Sequence, residues 1–304
     1  MPQTFSSKQT DWEKLFQNWS LGPNDTENTR CEIMIREVRY AITTDPKLSA
    51  LNPRIFVQGS YANRTNVRKE SDVDICILVP RTFYFSGPPS LEDLGLPPST
   101  YEYDEYKNDV GVALISHFGE ATVERGNKAF DIKAPSRSVE ADVVPCFEYR
   151  EYKNFDGRKW PYESGTALVP DDDINVVSNF PDQQYENGVT KNDNTYRKYK
   201  RTVRILKRLR NHLIEAKKLS EDLMPSFLLE SALWNIENSY YSPVFWVDTI
   251  DGVLEVLMSR SLIPATCKHW REVNGIKLLF SEESEWTNDN LFNFAQACLH
   301  YTRK

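Results

Sequence analysis

The stretch Gln58-Gly59-Ser60-Tyr61-Ala62-Asn63-Arg64-Thr65-Asn66-Val67-Arg68-Lys69-Glu70-Ser71-Asp72-Val73-Asp74-Ile75 decides how this chain is read. A Gly-Ser turn follows an apolar run, Arg54 to Gln58, and precedes an Asp-x-Asp pair that opens a second apolar run. Both runs read as strands. Residues i and i+2 of a strand face the same side, so Asp72 and Asp74 project together while Val73 turns to the core. Two neighbouring carboxylates repel, and a cation offsets that cost. Magnesium carried by a nucleoside triphosphate suits the position, because it takes hard oxygen ligands and shares them with phosphates. Gly59 lets the backbone approach a phosphate, and its amide and the Ser60 hydroxyl can donate to phosphate oxygens. A polar hairpin with two solvated aspartates is the alternative. The length of the phrase and its apolar flanks argue against it.

Composition narrows the field around that phrase. At 304 residues and 40% hydrophobic content, the chain can build one large domain or two closely joined ones. It has no apolar run of membrane-spanning length, and Met1 to Phe5 lacks the layout of a secretory signal. The 5 cysteines are scattered, which suits reduced thiols in a cytoplasm. Cys267-Lys268-His269 and Cys298-Leu299-His300 carry zinc-type ligands, but Cys-x-His is tight for a tetrahedral site, and Cys298 fits the apolar face of a helix. A net charge of −7 argues against stable binding of long nucleic acid through an overall positive field. The run from Lys191 to Lys218 is nonetheless strongly basic, which suits a small phosphate-bearing ligand.

Periodicity predicts a long helix over Asp25 to Thr44, capped by Asn24 or Asp25, with Cys31, Ile35, Val38 and Ile42 at helical spacing. Pro80 is expected to end the second strand, and residues 80–100 to form a proline-rich loop or insertion. A helix over Thr100 to His117, a hairpin around Gly126-Asn127 and one or two strands between Val139 and Tyr152 follow. Phe155 to Asn194 reads as loop-rich, and helices are predicted near Thr195–Lys218, Pro225–Ile236, Val244–Ser261 and Asn288–Thr302. The fold class is α+β: a mixed sheet with helices over residues 1–194, then a helical lobe over 195–304.

A two-metal site for phosphoryl transfer needs a third carboxylate. Asp142 is the candidate, an isolated acid in the apolar stretch Val139 to Cys146, and Glu140, two residues before it, is the alternative. In the basic helix, Lys200, Arg204, Lys207 and Asn211 fall in one stripe at 100° per residue. Thr202, Leu206, Leu209 and Leu213 occupy the opposite side, so the helix can bury one face and present cations on the other.

The phrase Gln58-Gly59-Ser60-Tyr61-x-Asn63-x-Thr65-x-Val67-x-x-x-Ser71-Asp72-Val73-Asp74 resembles the signature of the DNA polymerase β-like nucleotidyltransferases. In this fuller form it is similar to the bacterial relatives of cyclic GMP-AMP synthase, the CD-NTases of CBASS antiphage defence. The resemblance implies a polymerase β-like lobe joined to the helical lobe, with the active site in a cleft between them. It also implies two magnesium ions, or manganese, on Asp72, Asp74 and Asp142. Asp-Val-Val-Pro at 142–145 resembles the third-carboxylate strand. Lys207 matches the family's triphosphate lysine, and Ser226 and Phe227 match its pair of a phosphate-donating serine and a base-stacking aromatic. Gln58 and Asn63 would orient the loop around Gly59 and Ser60. Tyr185-Glu186-Asn187-Gly188 resembles a family segment between the lobes. Counted back from it without a gap, Asn179 falls where uridine-using relatives carry Asn, and a one-residue slip would put Ser178 there.

The implied activity is synthesis of a cyclic di- or trinucleotide, such as cyclic UMP-AMP, from triphosphates, ATP and UTP among them, with release of pyrophosphate. A downstream effector would respond to the product rather than bind this chain. Transfer of a nucleotide to a protein, drug or RNA acceptor, or an inactive nucleotide- or RNA-binding sensor, would use the same fold. All three carboxylates are present, which disfavours the inactive form.

Overall fold

The computed structural model describes residues 7–67, 72–133, 138–282 and 284–303. In chain order the elements are α1 (Ser7–Trp19), α2 (Asp25–Thr44), α3 (Pro46–Ala50), β1 (Arg54–Gln58), α4 (Gly59–Ala62), β2 (Val73–Ser86), α5 (Leu91–Leu94) and α6 (Tyr103–Phe118). Next come β3 (Val123–Arg125), β4 (Phe130–Ile132), β5 (Ala141–Tyr152), β6 (Tyr162–Leu168) and β7 (Val177–Asn179). The remaining helices are α7 (Pro181–Asn194), α8 (Tyr199–Glu215), α9 (Ser226–Asn235), α10 (Trp246–Ser261), α11 (Pro264–Cys267) and α12 (Asn288–Arg303). Among the described residues, no helix is long and apolar enough to cross a membrane.

Contacts divide the chain into two compact units: Asn24–Ala62 with Glu70–Pro181, and Met1–Pro23 with Asn63–Lys69 and Asp182–Lys304. The boundary expected at 194/195 therefore lies inside the second, helical unit, which also takes in α1, α7 and the segment after the Gly-Ser turn.

The first unit is built on a mixed seven-stranded sheet of order β1-β2-β5-β4-β3, with β6 pairing both β5 and β7. β2 and β5 run parallel down its centre, and their first halves, 73–79 and 141–147, are buried except at Asp74 and Asp142. Asn24 caps α2 in a full capping box with Glu27: the Asn24 side chain accepts from the Glu27 amide and the Glu27 carboxylate from the Asn24 amide, both at 2.9 Å. Cys31, Met34, Val38 and Ile42 are its buried stripe. From α6, Tyr106 stacks on Phe147 of β5 at 5.2 Å and donates its hydroxyl to the Ile77 carbonyl at 2.6 Å. Tyr103 donates likewise to the Pro145 carbonyl. Gly119 stops the helix at φ 88°.

Pro80 does not end β2. The strand runs on to Ser86, and its pairing with β5 jumps from Val79↔Phe147 to Phe83↔Glu148. Proline cannot donate to the ladder, and the bulge lifts it out of register instead of terminating the strand. The 155–194 stretch also proves structured, holding β6, β7 and α7 where loop was expected. Gly165 lies within β6. It is required there, since a Cβ would lie 2.3 Å from the Asn179 carbonyl oxygen of β7.

In the helical unit, α8 buries Thr202, Leu206, Leu209 and Leu213, the face expected to be apolar, along with Tyr199, Val203 and Ile205. Trp12 and Phe16 of α1 pack into the same core, with ring centroids 5.2 Å apart. Glu13 of α1 caps α10: its carboxylate accepts the Trp246 and Val247 amides at 3.0 and 2.9 Å, which serves the unpaired N–H groups of a helix start. Lys200 and Lys207, on the stripe expected to present cations, are themselves buried.

Candidate active site

Strand register brings the predicted carboxylates of the sheet unit into one row. Gln58 on β1 pairs with Asp74 on β2, Asp74 with Asp142 on β5, and Asp142 with Asp131 on β4. Paired residues on neighbouring strands share a face, so these four side chains form a single rung across the sheet. Glu124 of β3 continues it opposite Asp131. Asp72 immediately precedes β2, two residues before Asp74. Glu140, the alternative third acid, also lies just before its strand and is outside the rung.

Gly59 stands where β1 turns into α4. Its φ is +66°, and a Cβ would lie 2.0 Å from Asp74 Oδ2 and 2.8 Å from its Cγ. Both the left-handed backbone and the contact with the Asp74 carboxylate require glycine. The Gly-Ser turn is thus fitted to the first rung acid, with Ser60 next to it in the same short turn.

The rung is electrostatically loaded. Burial pushes the Asp142 carboxyl up to about 7, and the charges of Asp74 and Asp131, a hydrogen bond with Asp131 and the charge of Asp72 add to it. Like-charged groups crowded in this way favour a proton or a cation. Among the described residues, no three His, Cys, Asp or Glu side chains close into a metal cage. The acids approach from one side of a sheet and offer carboxylate oxygens only. That donor set fits magnesium, which completes its octahedron with phosphate oxygens and water.

Asp131 escaped the sequence reading. The signal available was the pattern Phe130-Asp131-Ile132, buried, exposed, buried, directly beside the hairpin turn. Nothing in it told which strand β4 would pair with.

Asn179 ends β7 and pairs with Thr166, which pairs with Glu148. Glu148 is six residues along β5 from Asp142, so alternation puts Asn179 on the Asp142 face. Ser178 pairs with Ala167 and points to the other face.

The helical unit holds the other predicted residues. Lys207 lies 3.7 Å from the Glu230 carboxylate, both side chains nearly inaccessible. Glu230 also accepts the Thr65 hydroxyl at 2.7 Å. Ser226 opens α9, and its hydroxyl oxygen accepts from Arg210 at 2.9 Å. Arg210 also donates to the Met224 carbonyl and to Asn211 Oδ1. Phe227 lies 6.2 Å from the Trp286 ring. Arg210 and Glu230 both sat in stretches singled out from the sequence, but the contacts Arg210–Ser226 and Lys207–Glu230 depend on how α8 meets α9, which local periodicity does not carry.

Residues 47–159 match the nucleotidyltransferase domain, and residues 186–303 match the cGAS/DncV-like nucleotidyltransferase C-terminal helical domain. The chain is 37% identical over 285 residues to the cyclic dipyrimidine nucleotide synthase CdnE of Cecembia lonarensis, covering 93% of this chain and 95% of that one. The structure of the Rhodothermus marinus CdnE c-UMP-AMP synthase with Apcpp and Upnpp superposes with a TM-score of 0.82 at 30% identity, over 96% of each chain. That of the Elizabethkingia meningoseptica CdnE cyclic dinucleotide synthase with GTP and Apcpp does so with a TM-score of 0.80 at 31% identity, over 98% of this chain and 99% of that one. The chain belongs to the bacterial CD-NTases, the cGAS/DncV-like nucleotidyltransferases. It is an enzyme of nucleotidyl transfer, and the mixed sheet followed by a helical domain is the arrangement expected from the resemblance.

Proposed function

We propose that this enzyme joins nucleoside triphosphates into a cyclic di- or trinucleotide messenger containing a pyrimidine, such as cyclic UMP-AMP, with release of pyrophosphate. The rung of Asp74, Asp142 and Asp131 behind Gly59 carries the reading. Magnesium on Asp72, Asp74 and Asp142 would supply activation of the attacking hydroxyl and neutralisation of the triphosphate. Manganese offers similar coordination.

The chain's own residues bind and orient. Gly59 and Ser60 donate to phosphate oxygens, while Gln58, at the head of the rung, and Asn63 hold the turn. Lys207 and Ser226 take the donor triphosphate, with Glu230 and Arg210 fixing their positions. Phe227 offers its face to a base. Burial and the neighbouring acids raise the Asp142 carboxyl to about 7, so a cation bound there would compete with a proton. Phosphoryl transfer asks mainly for such positioning and charge neutralisation.

Asn179 is the proposed reader of a uracil edge, since its amide both donates and accepts at short reach. Its place on the Asp142 face supports Asn179 over Ser178. The dipyrimidine and UMP-AMP synthases among its relatives support a pyrimidine product as well. We place the enzyme in the cytoplasm, in antiphage signalling through an effector that senses the product. Incubation with labelled triphosphates and magnesium tests the proposal: a small phosphatase-resistant product is expected. Label transferred to a macromolecule, or no turnover, would overturn it.

A further inference from the structure

The basic run of the sequence contains more cations than substrate binding uses. In the helical unit, Arg64, Arg197, Lys200, Arg201 and Arg204 line a cavity of about 490 Å³, with the Tyr185 ring on its wall. Asp193 is the only acid among the lining residues, and neither Lys207, Ser226 nor Phe227 reaches it. Among the described residues, none of the five cations forms an ion pair.

Assembling this cluster is costly in three ways. Lys200 is buried, its Nζ 5.5 Å from the Tyr185 ring centroid, and burial holds its pKa below the ordinary lysine value. Arg204 is pushed down to about 10 by burial and then by the charges of Arg201 and Arg208, while it donates to the Ser20 and Arg64 carbonyls. Arg64 and Arg197 themselves have left-handed backbones, at φ 54° and 62°, as does Tyr196 at φ 51°. Such backbones in residues with side chains are strained and collect at ligand sites. Unpaired like charge held on strained backbone, in a chain of net charge −7, is what a bound polyanion would offset.

We propose that this cavity binds a polyphosphate group, carried by a nucleoside triphosphate or as inorganic polyphosphate, at a site additional to the one where nucleotides react. The volume suits a small ligand, and the exposed face of Tyr185 offers a stacking surface if a base accompanies the phosphates. The proposal rests on the reading above only in treating Lys207 as the lysine of the reacting triphosphate.

The test is calorimetric titration of the full chain with sodium tripolyphosphate in the presence of a chelator. Wild type is compared with the double variant Arg197→Asn/Arg201→Gln and with Lys207→Ala. Both arginines are exposed, and asparagine keeps the left-handed backbone at 197. The double variant should weaken binding about tenfold or more, as expected for two lost charge-assisted contacts. It should leave the KM for triphosphates within about twofold, and Lys207→Ala should leave the tripolyphosphate site intact. An ATP arm separates the sources: tighter binding than tripolyphosphate, lost in Tyr185→Ala, identifies a nucleotide, and equal binding identifies inorganic polyphosphate. Tripolyphosphate binding that ignores the double variant, or is lost only in Lys207→Ala, overturns the proposal. So does a short RNA that binds through Arg197 and Arg201 when tripolyphosphate does not. Failure to make a cyclic product with these binding results intact would refute the proposed activity and leave this site standing.

Discussion

Removing the charge at Asp142 should stabilise the metal-free protein while abolishing synthesis. Asp142 sits with Asp74 on one side and Asp131 on the other, and its carboxyl rises from 3.8 to about 7. Between those pH values the folded state keeps a proton that the unfolded chain gives up, so wild-type stability falls as pH rises from about 4 and levels off above about 7. Each pKa unit is worth ~1.4 kcal/mol. The side chain is only half buried, and solvent screening brings the expected cost above neutrality to about 1–2 kcal/mol. Asp142→Asn removes that cost. In chelator at pH 8 the variant should melt roughly 2–6 °C above wild type, with the gap narrowing towards pH 5. Magnesium with a non-hydrolysable triphosphate should raise the wild-type melting temperature and move the variant much less. Thermal denaturation over that pH range, with and without magnesium, measures all of this. A variant less stable than wild type at pH 8 in chelator, or equally stabilised by magnesium, would refute the electrostatic account of the rung.

Gly59→Ala puts a methyl where Asp74 Oδ2 lies and forces a left-handed alanine, so product formation should fall at least a hundredfold with the helical unit still folded, as native-state proteolysis would report. Activity within tenfold of wild type would remove Gly59 from the site. Lys207→Ala should raise the triphosphate KM several-fold, whereas Lys218→Ala, whose ammonium lies over the Tyr301 ring, should change it little. Equal effects would mean that the cationic face only solvates. Omitting UTP and CTP together should abolish the normal product, and Asn179→Ser should shift incorporation towards purines. An unchanged product would mark a purine cyclase.

Much of this architecture was legible because its signals are local. Asn24 and Glu27 state where α2 begins, Gly119 states where α6 ends, and the apolar stripe Leu206, Leu209, Leu213 fixes the buried side of α8. The Gly-Ser phrase points to Asp72 and Asp74 by itself, because it combines a backbone requirement with a strand alternation. Elements whose formation depends on a distant neighbour were missed. β6 carries Gly165 in mid-strand because β7 passes too close for a Cβ, and β2 absorbs Pro80 because β5 continues beside it. α1 did carry a signal in Trp12, Phe16 and Trp19 at helical spacing. Asp131 and Glu230 depend on cross-strand register and on the meeting of two helices, and no short window contains either.

The most direct measurement of the central claim is product formation by Asp72→Asn and Asp74→Asn with radiolabelled triphosphates and saturating magnesium, after circular dichroism has shown the wild-type fold. An amide keeps the shape of the carboxylate and removes its charge, and the loss of several kcal/mol of transition-state stabilisation should leave no detectable phosphatase-resistant cyclic nucleotide from either variant. Synthesis at near wild-type rate by either one would contradict the assignment of Asp72 and the rung acids as the catalytic centre.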